Sequence, residues 1–492
     1  MASGAVQSAK SRATGRKEDA EGSIMGDIKA VAEEYMIESG PSYGNNFFFT
    51  IGVYLLLLFG VLVVTGIVMV LFGPYWWDLT SIGTFIRSIH MWAAEAFVTL
   101  IFIHLFVNFS TSAFRKRKLM WIIGSVMLML VLLEFAFGVG MGGSLLAQAN
   151  QQAGSDLWNG MGLGYWINPM NSGAVLGWHI AIIPIILIAL MFLHYSIVRK
   201  RGLVTPYRKD IPYSVTPIDH KMMYKRMIYL LIIVLAFAVL FRAPYMPPLT
   251  ISQAANQNPD AVASAFLNES NMTSATATYI DTIDPFRFNT RYVYVTYPYS
   301  VYLNLTHSKN LEAQFLAEST SQQNDTLAQA YAYFEANGSI RSGTNSTNPM
   351  IGLASTLTYM AQTGAYQPIL QSEVAGGMNY TYVIRFLYDT GALWNAASQY
   401  NISVPQWGML TVGGNPPLRL EYWLIPYNFM QIAMAGVPWW NDLENGTVVF
   451  LAFLIFLFLP YIPGLRAIPD KLKLYKLFWN RFTVPEMRKE KK

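Results

Sequence analysis

Long apolar segments alternate with short polar connections through the first half of the chain, and one more apolar segment lies near its end. Each is apolar enough to form a helix, or the core of a helix, that crosses about 30 Å of hydrocarbon. The segments are residues 46–72, 85–109, 119–139, 174–198, 227–241 and 447–465. The pattern predicts an all-α polytopic membrane protein: a four-helix bundle, two further transmembrane helices and a polar domain between them.

Basic residues in the connections give these predicted spans an orientation. The connections at one end of the bundle are basic, and they are residues 115–118, 199–201, 208–209 and 225–226. At the other end, residues 74–84 and 141–173 contain no Lys or Arg. By the positive-inside rule, the basic end, both termini and the tail from Lys471 are cytoplasmic.

Residues 246–409 are then external, and their composition changes to one rich in Asn, Ser, Thr and Tyr. Residues 245–445 carry nine Asn-X-Ser/Thr sequons, which predict a glycosylated surface. Residues 291–305 and 380–388 have the composition of strands, whereas residues 326–336 have that of a helix. We therefore expect an inserted external α+β domain.

Overall composition supports the membrane assignment and removes several kinds of metal site. Hydrophobic residues make up 53% of the chain and charged residues 13%. The chain has no cysteine, so it offers no disulfide, thiolate ligand or thioether-attached haem, and any iron–sulfur centre must belong to another subunit. The first 24 residues lack the apolar core of a cleavable signal peptide.

Four of the six histidines lie in two apolar segments, as pairs. His90 and His104 are 14 residues apart, and His179 and His194 are 15 apart. At ~1.5 Å and ~100° per residue, each pair spans about 21–23 Å on roughly one helix face. A single membrane histidine is usually a hydrogen-bonded bundle residue. Two matching pairs instead predict two flat metal macrocycles, one above the other, clamped between the helices.

Glycines in the other two helices of the bundle repeat this period. Gly52 and Gly66 are 14 residues apart in the first span, as are Gly124 and Gly138 in the third. Glycine costs helix stability, so its placement suggests the close approach of something bulky. Helix–helix packing through small residues is the alternative. The shared period favours two macrocycle edges that press on these helices at two depths.

These stretches resemble the cytochrome b subunit of bc-type quinol-oxidising complexes, the quinol–cytochrome c and plastoquinol–plastocyanin reductases. The matching stretches are Val64-Thr-Gly66, Arg87-Ser-Ile-His90, and residues 117–124, 179–184 and 194–202. The resemblance implies that His90 and His179 ligate an outer, low-potential b haem. It also implies that His104 and His194 ligate an inner, high-potential b haem. Arg87 is implied as a haem-propionate partner, with a snorkelling interfacial arginine as the alternative.

Residues 415–432 resemble the Pro-Glu-Trp-Tyr element of the family's outer quinol site. Glu421 is kept, and in a partly dry pocket it could accept a proton from quinol. Leu420 replaces the first proline, and Tyr422-Trp423 inverts the aromatic pair. The family's Pro-Trp pair after Gly138 is also missing, which puts the shape of the quinol pocket in doubt. A solvated external carboxylate is the alternative for Glu421.

Other ionisable residues have weaker assignments. Asp219 and His220 are the only candidates for an inner quinone site. Glu95 and Glu134 are intramembrane acids, and they are either members of a proton path or neutral, hydrogen-bonded groups.

The sequence therefore predicts the catalytic subunit of a quinol oxidoreductase with two non-covalent b haems, coupled to proton translocation. Its expected partners are quinone, membrane lipid, a separate Rieske iron–sulfur protein, other respiratory subunits and a second copy of the chain, but no nucleic acid. Dense sequons and absent cysteine suit a distant, archaeal branch in a cell membrane. Two alternatives remain: a dihaem anchor for a dehydrogenase, and a non-redox scaffold whose external domain is the functional part.

The predicted organisation has six parts. Residues 1–45 form a cytoplasmic extension with an interfacial amphipathic helix. Residues 46–202 form the bundle, and residues 203–245 form a loop with the fifth span. The external insert, the quinol-site segment, and the sixth span with its basic tail follow as residues 246–409, 410–446 and 447–492.

Overall fold

The computed structural model describes most of the chain between residues 37 and 479. The described ranges are 37–141, 143–205, 213–242, 246–279, 288–337, 347–373, 378–400 and 442–479, with short pieces at 405–406, 409–410, 429–430, 433–434, 436–437 and 440. Residues 27–36 of the predicted interfacial helix lie outside them, as do Glu421 and most of the predicted quinol-site segment.

A bundle of long apolar helices forms the first part of the described chain. Strand β1 (Ser39–Pro41) and a 3-10 turn (Ser42–Asn45) precede it. Its helices are α1 (Phe47–Leu79), α2 (Ser81–Ser110), α3 (Ala113–Lys116), α4 (Lys118–Gly140), α5 (Leu145–Gly160), α6 (Ser172–Gly177), α7 (Ile183–Arg201) and α8 (His220–Leu240). A π turn at Trp178–Ile182 joins α6 to α7. Within the described residues five helices, α1, α2, α4, the joined α6–α7 and α8, are long and apolar enough to span a membrane, as predicted.

Local sequence explains how α1 and α2 begin and why α1 bends. The side chain of Asn46 caps α1 by accepting a hydrogen bond from the Phe48 amide, and Thr80 caps α2 in the same way through Gly83. The helix bends at Gly73, whose φ is +77°, directly before Pro74. This Gly-Pro pair was predicted to end the span, but the helix continues beyond it to Leu79.

The fifth span packs against the second. The Ser88 hydroxyl on α2 donates to the Ala238 carbonyl (3.0 Å), and the Trp92 indole donates to the Phe241 carbonyl (3.0 Å). Strand β2 (Val215–Pro217), just before α8, pairs antiparallel with β1 and so ties the start of α8 to the start of α1. These contacts place α8 beside the helix that carries His90.

Residues 246–400, which we call the insert, form helices around a hydrophobic core that also includes Leu145, Ala149 and Met170. These helices are α9 (Ile251–Gln257), α10 (Pro259–Asn271), a π turn (Tyr292–Thr296), α11 (Tyr297–Thr306), α12 (Leu311–Leu316), α13 (Thr320–Asn337), α14 (Pro349–Gln362), α15 (Tyr366–Glu373), α16 (Thr381–Asp389) and α17 (Ala392–Gln399). A short hairpin of β3 (Pro405–Gln406) and β4 (Met409–Leu410) follows. The predicted helix at residues 326–336 is confirmed within α13.

The two strands predicted in the insert are wrong. Residues 292–306 form the π turn and α11, and residues 381–389 form α16. Aromatic and β-branched residues favour strands only where they fit a pleated surface. In α16 the buried residues Val383, Ile384, Phe386 and Leu387 instead cover one side of a helix that packs into the core of the insert.

The sixth predicted span is wrong in its extent. Helix α18 (Asp442–Leu457) ends well before residue 465, and its apolar part, Leu443–Leu457, is 15 residues long. A spanning helix needs about 20 residues. A 3-10 turn at Leu459–Tyr461 contains Pro460, which has no amide hydrogen to continue the helix. Further 3-10 turns (Leu465–Ala467, Leu474–Leu477) flank the short α19 (Ile468–Lys471).

The insert and Asp470 lie at opposite ends of α4. Asp470 forms an ion pair with Arg115, in the connection just before α4. The insert docks on α5, just after α4, where the Gln148 side chain both donates to the Leu249 carbonyl (2.9 Å) and accepts from its amide (2.8 Å). The Tyr380 amide also donates to the Met170 carbonyl (2.9 Å).

Helix α18 runs between these two ends of α4. Gly446, near its start, lies against Met161 just after α5, and the Phe456 carbonyl, near its end, accepts a hydrogen bond from Trp121 on α4.

Candidate metal centre

His90 and His179 face each other across the bundle. His90 lies on α2 and His179 in the π turn, and their ring centres are 6.3 Å apart with an angle of 62° between the rings. Two imidazoles that bind one metal ion from opposite sides, each at about 2 Å, have ring centres about 6 Å apart. The pair therefore fits a single metal ion between the two rings.

Hydrogen bonds at Nδ1 fix the orientation of the His90 ring. Nδ1 lies 2.8 Å from Thr65 Oγ1 on α1, and this hydroxyl also lies 2.7 Å from the Val61 carbonyl. Because the hydroxyl donates its proton to that carbonyl, it accepts the Nδ1–H of His90. The lone pair of the neutral ring is then on Nε2. This is how a second hydrogen bond selects the tautomer of a metal-binding histidine.

The His179 ring is held by α4. Its Nδ1 lies 3.0 Å from the Glu134 carbonyl oxygen and 3.2 Å from the Glu134 carboxylate Oε1. The Nδ1–H donates to these acceptors and leaves the Nε2 lone pair free. Pro184 provides the local cause of the π turn around His179, since it cannot donate to the carbonyl one turn before it. The Ile183 amide instead bonds to the Trp178 carbonyl, five residues earlier.

Two of the predicted glycines lie directly against these rings. A Cβ on Gly138 would lie 2.8 Å from His179 Cε1, closer than side-chain carbons approach each other. A Cβ on Gly66 would lie 3.4 Å from His90 Cε1. Any larger residue at Gly138 would therefore displace the ring of His179, so close packing of α4 against the His179 segment accounts for a glycine there.

The other two glycines have a different environment. A Cβ on Gly52 or on Gly124 would meet no other described atom within 4 Å. Glycine is therefore not required at either position by the packing of the described helices against each other. Packing between the described helices thus accounts for Gly66 and Gly138 only, and the macrocycle interpretation of the 14-residue period stays a prediction.

His104 and His194 form the second pair, on α2 and α7. The two rings are close enough to interact electrostatically, and both are half-buried. Nδ1 of His194 is buried and has no hydrogen-bond partner among the described residues. A buried imidazole nitrogen that the described residues leave without a partner is compatible with a ligand role for the ring. The structure thus brings the four predicted histidines together in two pairs.

Arg87 forms an ion pair that sequence reasoning missed. Its guanidinium binds Asp78, which lies beyond the kink of α1, and both side chains are largely buried. The sequence offered one signal for this ion pair: Asp78 follows Trp76-Trp77 in a connection that contains no Lys or Arg. The pair ties the end of α1 to α2, and the propionate role of Arg87 stays a prediction.

The residues proposed for an inner quinone site have structural roles at the start of α8. Asp219 caps this helix by accepting a hydrogen bond from the Met222 amide (2.9 Å), and its own amide donates to the Asn45 side chain (2.8 Å). His220 is the first residue of α8, and its Nδ1 is buried without a hydrogen-bond partner among the described residues. The role of both residues at an inner quinone site stays a prediction.

These features define a class of protein: a multi-span membrane-helix bundle that can hold a metal centre between facing imidazoles. Residues 95–254 match the family model described as cytochrome b(N-terminal)/b6/petB, a range that includes His104, His179 and His194. Over this range the chain is similar to proteins of the cytochrome b family.

Curated relatives show how far the similarity extends. The chain is 35% identical over 129 residues to the cytochrome bc1 complex cytochrome b subunit of Mycobacterium bovis, over 24% of this chain and 24% of that protein. It is 26% identical over 203 residues to cytochrome b of Sulfolobus acidocaldarius, covering 35% of this chain and 36% of the relative. With cytochrome b6 of Heliobacterium mobile it shares 25% over 202 residues, covering 36% of this chain and 95% of the relative.

The similarity is therefore partial. The alignment spans about a quarter of the mycobacterial relative. A solved structure described as a hyperthermophilic respiratory Complex III aligns with 76% of this chain and 99% of that one, at 15% identity and a TM-score of 0.37. A haem is the group to test against a site similar to this family, and the spacing of His90 and His179 and the glycine at Gly138 fit such a group.

Proposed function

We propose that this chain is the dihaem cytochrome b subunit of a bc-type, quinol-oxidising respiratory complex. The observation that supports this most strongly is the pair His90–His179, with ring centres 6.3 Å apart and each Nδ1 hydrogen-bonded to the protein. A structural histidine in a bundle would not need a second imidazole opposite its free nitrogen. This geometry argues against the non-redox scaffold.

The residues of the chain have distinct tasks in this proposal. Nε2 atoms of His90 and His179 would hold one haem iron, and His104 and His194 would hold the other. Thr65 and the Glu134 carbonyl orient the two rings of the first site. When bound, the haems would supply one-electron transfer between the two membrane faces, and a pair of imidazoles at each iron suits electron transfer rather than oxygen binding.

Quinol oxidation is assigned to the membrane face nearer His90 and His179. Glu421 takes up a proton released from quinol there. One electron leaves to a Rieske iron–sulfur protein, since this chain has no cysteine for such a centre. The other electron reaches quinone at the opposite face, where Asp219 and His220 are the only candidates the sequence offers. Protons released on one side and taken up on the other are the proposed form of energy storage.

The proposed setting is a cell membrane with both termini cytoplasmic and the insert outside. Basic connections at the Arg115 end of α4 support this orientation, and the insert docks at the other end. The sequons in the insert are then on the side where glycans are attached. Other respiratory subunits and a second copy of the chain complete the proposed complex.

A difference spectrum of the purified complex tests the haem proposal. We expect a b-type α band in the reduced-minus-oxidised spectrum and two components in a redox titration. A spectrum without a b-type band would overturn the proposal and favour the scaffold. A single component would contradict the assignment of one of the two histidine pairs.

Glu421→Gln distinguishes quinol oxidation from the dehydrogenase anchor. Removing the proton acceptor is expected to lower the turnover of quinol oxidation by about 10²-fold or more, while both haems stay bound. Turnover is measured with quinol and an external acceptor, and haem is measured in the same samples. Glu335→Gln, on the exposed surface of the insert, is the matched control. Unchanged turnover in the Glu421 variant would exclude the assigned role.

Thr65→Val tests the orientation of His90. Valine keeps the shape of threonine but cannot accept the Nδ1–H, so the ring becomes a weaker electron donor to its metal. We expect the midpoint potential of the outer haem to rise by roughly 20–60 mV, the equivalent of about one hydrogen bond for a one-electron couple. Thr65→Ser keeps the hydroxyl and should restore the original potential. A Thr65→Val potential equal to that of the wild type would show that this hydrogen bond does not tune the site.

A further inference from the structure

Two carboxyl groups of the insert meet in its interior. Glu269 on α10 is completely buried, and Asp389 ends α16. The Ser274 hydroxyl donates to Glu269 Oε2 (2.8 Å), and the Thr276 amide donates to Asp389 Oδ1 (3.0 Å). Each carboxyl group thus has one oxygen bound by residues 274–276, which places the two side chains beside the same short segment.

The remaining oxygens would be two adjacent buried charges if both groups were ionised. Glu269 Oε1 and Asp389 Oδ2 are buried, and the only groups described beside them that could donate are the unpaired hydroxyls of Thr290 and Thr276. A hydroxyl can satisfy an acceptor, but it does not compensate the repulsion between two adjacent carboxylates. One proton between them gives a charge-assisted O–H···O⁻ bond and satisfies both atoms.

The surrounding charged and titratable groups make Glu269 the protonated partner. Burial and the neighbouring Asp389 raise the pKa of Glu269 to about 9. Burial also raises the pKa of Asp389, but hydrogen bonds from Thr276 and Glu269 and the charge of Arg385 oppose this rise. Tyr294 and Tyr366, the other titratable groups described beside Glu269, are buried and have raised pKa values, so both are neutral.

Asp389 connects this acid pair to the surface where the insert docks. Its neighbour Arg385 is almost completely buried and donates to Ser155 (3.2 Å) and Asp156 (3.1 Å) of α5. The same guanidinium lies over the ring of Tyr279, whose hydroxyl also bonds to Asp156 (3.1 Å). The charge of the acid pair therefore acts on the residue that links the insert to α5.

We propose that Glu269 and Asp389 share a single proton, and that this acid pair makes the docking of the insert on α5 sensitive to pH. With the proton present, the pair carries one negative charge, balanced through Arg385. Loss of the proton adds a second buried charge with no compensating cation among the described residues. The insert is thus held on α5 in acidic and neutral solution and loosens in alkali.

The direction follows from the raised pKa of Glu269. In the unfolded chain this group titrates near its ordinary value of 4.5, whereas in the folded insert it titrates at about 9. Its contribution to stability is complete below pH 4.5 and is lost as the pH rises through 9. The Arg385–Asp156 contact is then expected to weaken first at alkaline pH.

Hydrogen–deuterium exchange of the full chain in its complex tests the proposal. Protection factors of peptides from α16 and α5, corrected for intrinsic exchange, are compared at pH 6 and pH 9. We expect at least a threefold loss of protection at pH 9 in both helices. In Glu269→Gln the amide donates to Asp389 as the protonated acid would, and this variant should lose no protection. Glu312→Gln, at another buried glutamate of the insert, should behave as the wild type.

Several results would overturn the proposal. Wild-type protection that does not change between the two pH values would exclude a shared proton, as would an unchanged alkaline loss in Glu269→Gln. If Glu269→Gln does not fold, Asp389→Asn is measured in the same way. A wild-type loss of protection at pH 9 in that variant would also exclude a shared proton. If added calcium restores protection at pH 9 and EGTA reverses this effect, the acid pair binds a cation, and the shared-proton proposal is wrong.

Discussion

Replacing His179 by alanine is expected to remove one of the two haems and to leave the other. His179 provides one of the two imidazoles whose ring centres lie 6.3 Å apart, and the variant leaves His90 as a single ligand on that site. His104 and His194, on the same two spanning helices, belong to the other pair. The haem content per chain, measured by pyridine haemochrome, should fall from two to about one. Quinol oxidation should fall below detection, since the electron released with the second proton has no acceptor.

His307→Asn is the matched control for this experiment. His307 lies in the insert with a φ of +54°, a backbone conformation that asparagine also adopts, so the change should not disturb the fold. It should leave both haems and turnover unchanged. External imidazole added to the His179 variant should restore part of the lost haem, which separates a missing ligand from a misfolded bundle. Retention of two haems in His179→Ala would show that this histidine is not a ligand.

The histidine pairing was predictable because it depends on helix periodicity. The positions of the spans follow from apolar segments of sufficient length, and the spacing of the histidines fixes their relative face and depth. The sequence does not reveal which atom of the partner helix receives each Nδ1–H. Thr65 and Glu134 orient the rings through contacts between helices, and such contacts depend on how the helices rotate and cross.

The insert shows where sequence patterns fail. Residues 292–295 read Tyr-Val-Tyr-Val, a composition typical of strands, yet they form a π turn whose Val293, Tyr294 and Val295 are buried. Burial in an all-helical core outweighs the local preference. Docking on α5 was also unpredictable, because its contacts, such as Gln148 with Leu249 and Arg385 with Asp156, join residues about 100 to 230 positions apart in sequence.

The end of the chain shows a third kind of error. Residues 447–465 are apolar enough for a span, but a hydrophobic count does not register how Pro460 and Pro463 affect the backbone. The helix ends at Leu457, and the residues beyond it return towards the Arg115 end of the bundle through Asp470. A proline near the end of an apolar segment should therefore be given more weight than the segment's length.

Gly124→Leu distinguishes a macrocycle from helix packing as the reason for the 14-residue glycine period. A Cβ at this position would meet no other described atom within 4 Å, so the described helices alone should accept a leucine there. If the edge of the inner haem lies against Gly124, the side chain occupies its space and the inner haem is lost. We therefore expect a folded protein with about one haem per chain, and the loss of one component from the redox titration.

Gly60→Leu is the control, because Gly60 lies on α1 outside the period and a Cβ there also meets no atom within 4 Å. Both variants carry the same change in helix propensity, so a difference in haem content between them reports on the space beside each glycine. Normal haem content in Gly60→Leu together with loss in Gly124→Leu would assign the position of the inner macrocycle. Two haems in both variants would mean that the glycine period has another cause, and the inner haem would then depend on His104 and His194 alone.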